Sequence, residues 1–168
     1  IKKQTGIKKV RMPYSVLRKI SYVFRESNFE VQCVIRSTEN DIFIYDVYKK
    51  DEKVVIGGLA IDIGTTTVSA LLIDMKSGDI LGKASSGNGQ IRYGADVINR
   101  IIESRKPGGE AKLQKAIIDE TLNPMLHNMC RAAGIKGSQI YHMCIASNTT
   151  MNHLLLGVNA DPLRMEPY

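Results

Sequence analysis

The run Gly58-Leu-Ala-Ile-Asp-Ile-Gly-Thr-Thr-Thr-Val-Ser-Ala-Leu-Leu-Ile-Asp74 constrains this chain more than any other. Its apolar residues predict a strand over Leu59–Ile63 and a second over Val68–Ile73. A carboxylate, a glycine and three hydroxyl residues separate them, so the strands pair as a hairpin with a polar turn at its tip. Gly64 is expected to take a backbone conformation closed to other residues and to let a ligand approach the main chain. The turn can offer N–H groups and hydroxyls to a phosphate. Asp62 would repel a bare phosphate, so its expected role is to hold a hydrated divalent cation. Neither the P-loop pattern nor the dinucleotide glycine pattern occurs, and both need a helix where this chain has a strand. A plain hairpin with a threonine-rich bend stays open beside phosphate binding on pattern alone.

With 168 residues and 43% hydrophobic content, the chain can bury a core of one domain or two small ones. It opens on Ile1 and closes just past an Asp-Pro pair, so a piece of a longer polypeptide is expected. No apolar run is long enough to span a membrane. Cys33, Cys130 and Cys144 are scattered without C-x-x-C spacing, which argues for free thiols in a reducing cytoplasm. The net charge of +6 is concentrated early, where residues 1–53 hold 12 Lys and Arg against 7 Asp and Glu. Lys2, Lys3, Lys8, Lys9 and Arg11 lead that excess. No aromatic platform or recognition helix accompanies it, so a solvated segment is expected and no nucleic-acid partner.

Pro13 is placed at the first position of a helix through Arg25, with Val16, Leu17, Ile20, Val23 and Phe24 as its apolar stripe. Strands over Phe29–Ile35 and Ile42–Tyr48 complete part of a small α+β unit, with Phe29, Val31 and Cys33 on one face. The charged connector beginning at Lys49 marks a boundary, giving domains over 1–54 and 55–168. A third strand follows over Ile80–Ala84, then a Gly/Ser-rich loop through Gly94. Helices are expected over Ala95–Ser104, with Val97, Ile98, Ile101 and Ile102 inward, and over Glu110–Ala133, kinked or divided at Pro124. A last strand over Tyr141–Ala146 leads to a helix capped by Ser147 or Asn148 and ended by Gly157. That cap and the central turn could face one pocket at the carboxyl edge of the sheet.

Four stretches together carry a resemblance. They are Gly58-Leu-Ala-Ile-Asp-Ile-Gly-Thr-Thr-Thr-Val68, Arg92-Tyr-Gly-Ala-Asp-Val-Ile-Asn-Arg-Ile101, Pro107-Gly-Gly109 and Ser147-Asn-Thr-Thr-Met-Asn-His-Leu-Leu-Leu-Gly157. In these the chain resembles the ATP-dependent reductive activators of corrinoid proteins, whose catalytic domain belongs with acetate kinase, sugar kinases, Hsp70 and actin. The implied fold is α/β, a ribonuclease H-like first lobe with a mixed sheet, preceded by part of a small α+β middle domain. Asp62 then corresponds to the catalytic, magnesium-associated carboxylate. Gly64, Thr65, Thr66 and Thr67 correspond to the first phosphate segment, and Asn148, Thr149 and Thr150 to a second polar turn. ATP or ADP with magnesium is the implied cofactor, and an iron–sulfur cluster is implied only on an N-terminal domain outside this sequence. The implied partner is the corrinoid protein of a methyltransferase system, and a homodimer stays open. Asn88-Gly-Gln90 stands where the family usually has Asn-Pro-Gln, which is expected to loosen the loop, and Ser147 where it often has Gly. The resemblance also implies that this piece holds half a nucleotide clasp, so alone it would bind ATP weakly and turn over nothing measurable.

The remaining polar residues have plainer readings. His127 and His142 stand alone and are expected to be structural, as is His153, which could instead donate to the Asn-Thr-Thr loop or to a bound partner. Asp96 could be a favourable charge at a helix start, or, from its place in a family-like stretch, could organise the loop or the nucleotide pocket. A sugar- or acyl-kinase-like lobe and a non-catalytic actin-like scaffold remain as competing functions.

Overall fold

The computed structural model describes Gly6 and residues 9–165. Lys2, Lys3 and Lys8 of the basic start lie outside the described residues. The chain forms two compact units, Ile1–Ile56 and Gly57–Tyr168.

In the first unit, strands β1 (Lys9–Arg11), β2 (Val31–Ser37) and β3 (Asp41–Lys49) form a sheet in the order β1-β3-β2. β1 runs parallel to β3, and β2 antiparallel to it. Helix α1 (Tyr14–Glu26) closes one side through Val16 and Val23, which meet Ile42, Ile44 and Val47. Pro13 sits one position earlier than expected: it is the extended residue before the helix, and its carbonyl accepts from Val16 and Leu17. Leu17 is half exposed and leaves the expected stripe. Asn28 and Phe29 both take positive φ, so Phe29 belongs to the turn and not to the strand, while Val31 and Cys33 do pack on the core. β1 has three residues, too few to show a period in sequence.

The second unit is built on strands β4 (Gly57–Ile63), β5 (Thr67–Asp74), β6 (Ile80–Gly87) and β7 (Ile140–Ser147). Their order is β6-β5-β4-β7; the first three are antiparallel and β7 runs parallel to β4. This is the mixed α/β sheet the sequence predicts. Leu59, Ile61 and Ile63 of β4 and Val68, Ala70 and Leu72 of β5 alternate into one core. Helices α2 (Val97–Ser104), α3 (Gly109–Ile117), α4 (Asn123–Ala132) and α5 (Thr149–Leu156) supply its other side, with Ile101, Leu113, Ile117, Met129 and Met151. Each such fully buried side chain contributes about 1.5–3 kcal/mol, so this face accounts for most of the unit's cohesion.

The opposite face of the sheet carries Ala60, Asp62, Ser69, Leu71, Cys144 and Ala146 around a depression of ≈ 600 Å³. The alternation in β4 and β5 thus buries one side of these strands and leaves the other open, whereas their apolar composition predicts a pleated, buried surface.

Two helical expectations change. In α2 the buried residues are Arg100, Ile101 and Ser104, while Ile98 and Ile102 are exposed. An arginine takes an inward position because carbonyl groups wait for it there. The long helix of 110–133 is divided, as Pro124 predicts, but the break is a wide π-helical turn over Ile118–Leu122 just before the proline. Thr121 Oγ1 donates to the carbonyl of Ala116 at 2.8 Å, a side-chain bond across the wider turn. Gly134 ends the helix at φ 67°, the left-handed position expected of it.

Candidate functional site

The hairpin between β4 and β5 turns through Gly64, Thr65 and Thr66. Its shape is set by donors reaching it from inside the protein. The carbonyl of Gly64 accepts from Asn88 Nδ2 at 2.9 Å. The carbonyl of Thr65 accepts from Arg100 Nη2 at 2.6 Å, and that of Thr66 from the Asn88 N–H at 2.8 Å. The turn closes on itself where the Gly64 N–H donates to the Thr67 carbonyl at 2.9 Å.

A trans peptide is planar, with its C=O and N–H pointing in opposite directions. Anchoring the carbonyls of Gly64 and Thr65 inward therefore aims the N–H groups of Thr65 and Thr66 outward. Neither of those N–H groups has an acceptor among the described residues. Successive outward amides of this kind form a concavity for an anion.

Gly64 is required here, though not for the expected reason. It does not take a positive φ. A Cβ at this position would lie 2.6 Å from the Thr67 carbonyl oxygen, so the close approach that excludes other residues is made by the turn itself.

The start of α5 stands beside the turn. Asn148 Oδ1 caps the helix by accepting from Met151 N at 2.9 Å, and Asn148 Nδ2 donates to Thr65 Oγ1 at 3.2 Å. Asn148, not Ser147, is the cap, and its side chain braces the turn. The first amides of the helix, those of Thr149 and Thr150, add donors unpaired among the described residues and the positive end of a helix dipole. Ser147 Oγ is buried without a partner among the described residues. His153 Nδ1 lies 2.8 Å from the Thr149 carbonyl, an acceptor only, so the ring donates to its own loop from Nδ1. His127 and His142 are exposed.

Of the predicted site residues, Thr65, Asn148, Thr149 and Thr150 converge at the carboxyl ends of the parallel pair β4 and β7. Thr66 and Thr67 are exposed at the same turn. Asp62 is exposed one strand position before Ile63, on the open sheet face, opposite Ser69 and Ala146. Among the described residues no group of three or more His, Cys, Asp or Glu side chains is arranged to hold a metal ion.

Asn88 and Arg100 were not singled out by sequence. Asn88 is 2% exposed and Arg100 0%; Asn88 holds the Gly64 and Thr66 carbonyls of the turn and Arg100 that of Thr65. Burial draws the Arg100 guanidinium below its ordinary value and Asp96 pulls the other way, yet an arginine stays charged in either case. Asp96 itself caps α2, accepting from the Asn99 N–H at 2.8 Å. Asn88 stands at the head of the Asn-Gly-Gln motif, and an Arg beside Ile101 in a largely apolar stretch was the other available signal.

Gly89 does not loosen its loop. Its N–H donates to Thr121 Oγ1 at 3.1 Å, and a Cβ there would meet the Ala116 carbonyl oxygen at 2.7 Å and Thr121 Oγ1 at 2.8 Å. A proline would lack that N–H.

The sequence model of the family described as the RACo middle region matches residues 57–168. The chain belongs to this family. Its matched span begins with β4 and holds the whole turn, Asn88, Arg100 and α5. A curated relative in this context is the "Corrinoid activation enzyme RamQ" of Eubacterium limosum, 36% identical over 156 residues. That alignment covers 92% of this chain and 26% of the relative. A solved structure titled "Reductive activator for corrinoid,iron-sulfur protein" superimposes with a TM-score of 0.81 at 33% identity, covering 99% of this chain and 26% of that one. The chain thus spans about a quarter of the length of the relatives it matches. No helix among the described residues is long and apolar enough to cross a membrane.

Proposed function

We propose that residues 55–168 form the first lobe of an actin-, Hsp70- and sugar-kinase-like ATPase domain, and that its hairpin turn cradles the phosphates of Mg·ATP. Residues 1–54 are then the latter part of a small α+β domain before it. The observation that carries this reading is the polarity of the turn, with carbonyls held inward and the Thr65 and Thr66 amides free outside. The sheet order, three antiparallel strands and a parallel fourth, supports a ribonuclease H-like lobe.

In this site the Thr65 and Thr66 amides and the first amides of α5 bind phosphate oxygens. Asn148 fixes the Thr65 hydroxyl, and exposed Asp62 orders the water shell of magnesium. Bound Mg·ATP supplies the free energy of its hydrolysis. The whole protein uses it to drive the one-electron reduction of a cobalt(II) corrinoid protein to cobalt(I), the nucleophile for methyl transfer. The electron enters through an iron–sulfur cluster carried outside these 168 residues, and free thiols suit a cytoplasmic working place. The chain alone binds Mg·ATP weakly and does not turn it over.

The test uses the full-length protein with a cobalt(II) corrinoid protein and a low-potential electron donor. Cobalt(I) formation, followed by absorbance, is expected only with Mg·ATP. Reduction at the same rate without nucleotide, or ADP release that depends instead on an added sugar or carboxylic acid, would overturn the assignment.

A further inference from the structure

Among the described residues Arg100 is the largest side chain that solvent does not reach. Its Nε donates to the Gly94 carbonyl at 2.8 Å, its Nη2 to the Thr65 carbonyl at 2.6 Å, and its Nη1 faces Met151 Sδ at 3.4 Å. These acceptors engage each of its three nitrogens without cancelling its charge. Arg100 makes no ion pair among the described residues, and the nearest acidic influence, Asp96, is committed to capping α2. A buried, unpaired charge is costly, and a leucine or methionine would fill the same space without that cost. Packing therefore does not explain an arginine at this position.

The Thr65 carbonyl and the Thr66 N–H belong to one peptide group. A guanidinium on the oxygen fixes that plane and draws electron density from it, making the outward N–H a stronger donor. We infer that Arg100 is a positioning residue of the anion site, which holds the Thr65–Thr66 peptide with its N–H outward and supplies a fixed positive charge behind the bound polyphosphate. This rests on the phosphate-binding reading of the turn. The missing counter-charge of Arg100 is then provided by the ligand, so affinity rises with the ligand's negative charge.

The experiment follows the Thr65 and Thr66 amides of the isotope-labelled chain by NMR during titration with Mg·ATP, magnesium tripolyphosphate and orthophosphate. Wild type, Arg100→Gln and Arg100→Lys are compared. The wild-type amides are expected to shift. Arg100→Gln is expected to weaken tripolyphosphate binding about tenfold to a hundredfold, and orthophosphate binding much less. Arg100→Lys keeps the charge without the planar fork and should recover part of the loss. If wild type binds and Arg100→Gln binds equally well, the role of Arg100 is refuted while the phosphate turn stands. If the wild-type amides stay still with all three ligands, the turn is not an anion site and both readings fall. Should Arg100→Gln fail to fold, Arg100→Lys decides through the lost planar fork: unchanged affinity for the ligands that shift the wild-type amides refutes the inference, and weaker binding supports it.

Discussion

Replacing Asn88 by Asp changes one atom and reverses one hydrogen bond. The Asn88 side chain donates to the Gly64 carbonyl at 2.9 Å and accepts from the Gln90 N–H at 2.9 Å, in a position 2% exposed. An ionised Asp can still accept from Gln90 but turns an oxygen toward the oxygen of Gly64. A protonated Asp, by contrast, can donate to Gly64 and restore the original pattern. Burial disfavours the charged form, and a raise of about 3 units, the lower end for fully buried groups, puts the folded value near 7 from about 3.9 unfolded. Because the folded value lies above the unfolded one, the variant is most stable below about pH 3.9 and loses stability as the pH rises toward 7. The deficit grows by about 1.4 kcal/mol per pH unit, from about 1 kcal/mol at pH ~4.5 to about 4 kcal/mol above pH ~7. Urea unfolding of variant and parent, followed by circular dichroism at both pH values, measures it. A deficit of the same size at the two pH values, or none at either, would refute the view that this side chain donates to the turn.

Two further outcomes follow from the packing. Gly89→Ala places a methyl against the Ala116 carbonyl oxygen and Thr121 Oγ1, neither of which can swing aside, and should cost about 1–3 kcal/mol. Thermal unfolding should show a fall of several degrees, while Gly82→Ala, whose nearest neighbours lie at 3.9 Å or beyond, should show little; equal effects would contradict the contact. Alkylation at about pH 8 with mass spectrometry should label exposed Cys144 first and Cys130 last, since burial pushes the thiols of Cys33 and Cys130 up. Cys130 reacting as fast as Cys144 would contradict the placement of both.

The hairpin and the short capped helix were legible because each rests on local chemistry, whereas the parallel pairing of β4 with β7 is long-range and the mixed sheet came from the resemblance. Alternating apolar residues fix β4 and β5, and Asn148 with Gly157 bounds α5. The inward face of α2 was not legible, since periodicity selects isoleucines and cannot see that Gly94 and Thr65 offer carbonyls to Arg100. The role of Asn88 was hidden for a similar reason: its partner lies 24 residues away in sequence. Gly64 illustrates a correct residue with a wrong cause, because a close approach of the backbone to itself leaves the same signature as a left-handed turn. The π-helical turn could be foreseen only as a break near Pro124, and its use by Thr121 depends on a loop from elsewhere in the chain.

That widened turn ties the helical layer to the hairpin. Ala116 is stitched to Thr121, Thr121 to Gly89, and the neighbouring Asn88 to both Gly64 and Thr66. The turn between α3 and α4 is thereby joined to the hairpin tip through an unbroken run of hydrogen bonds. Undoing any stitch strips a donor or acceptor of its mate, so each bond of the seam carries the cost of the next.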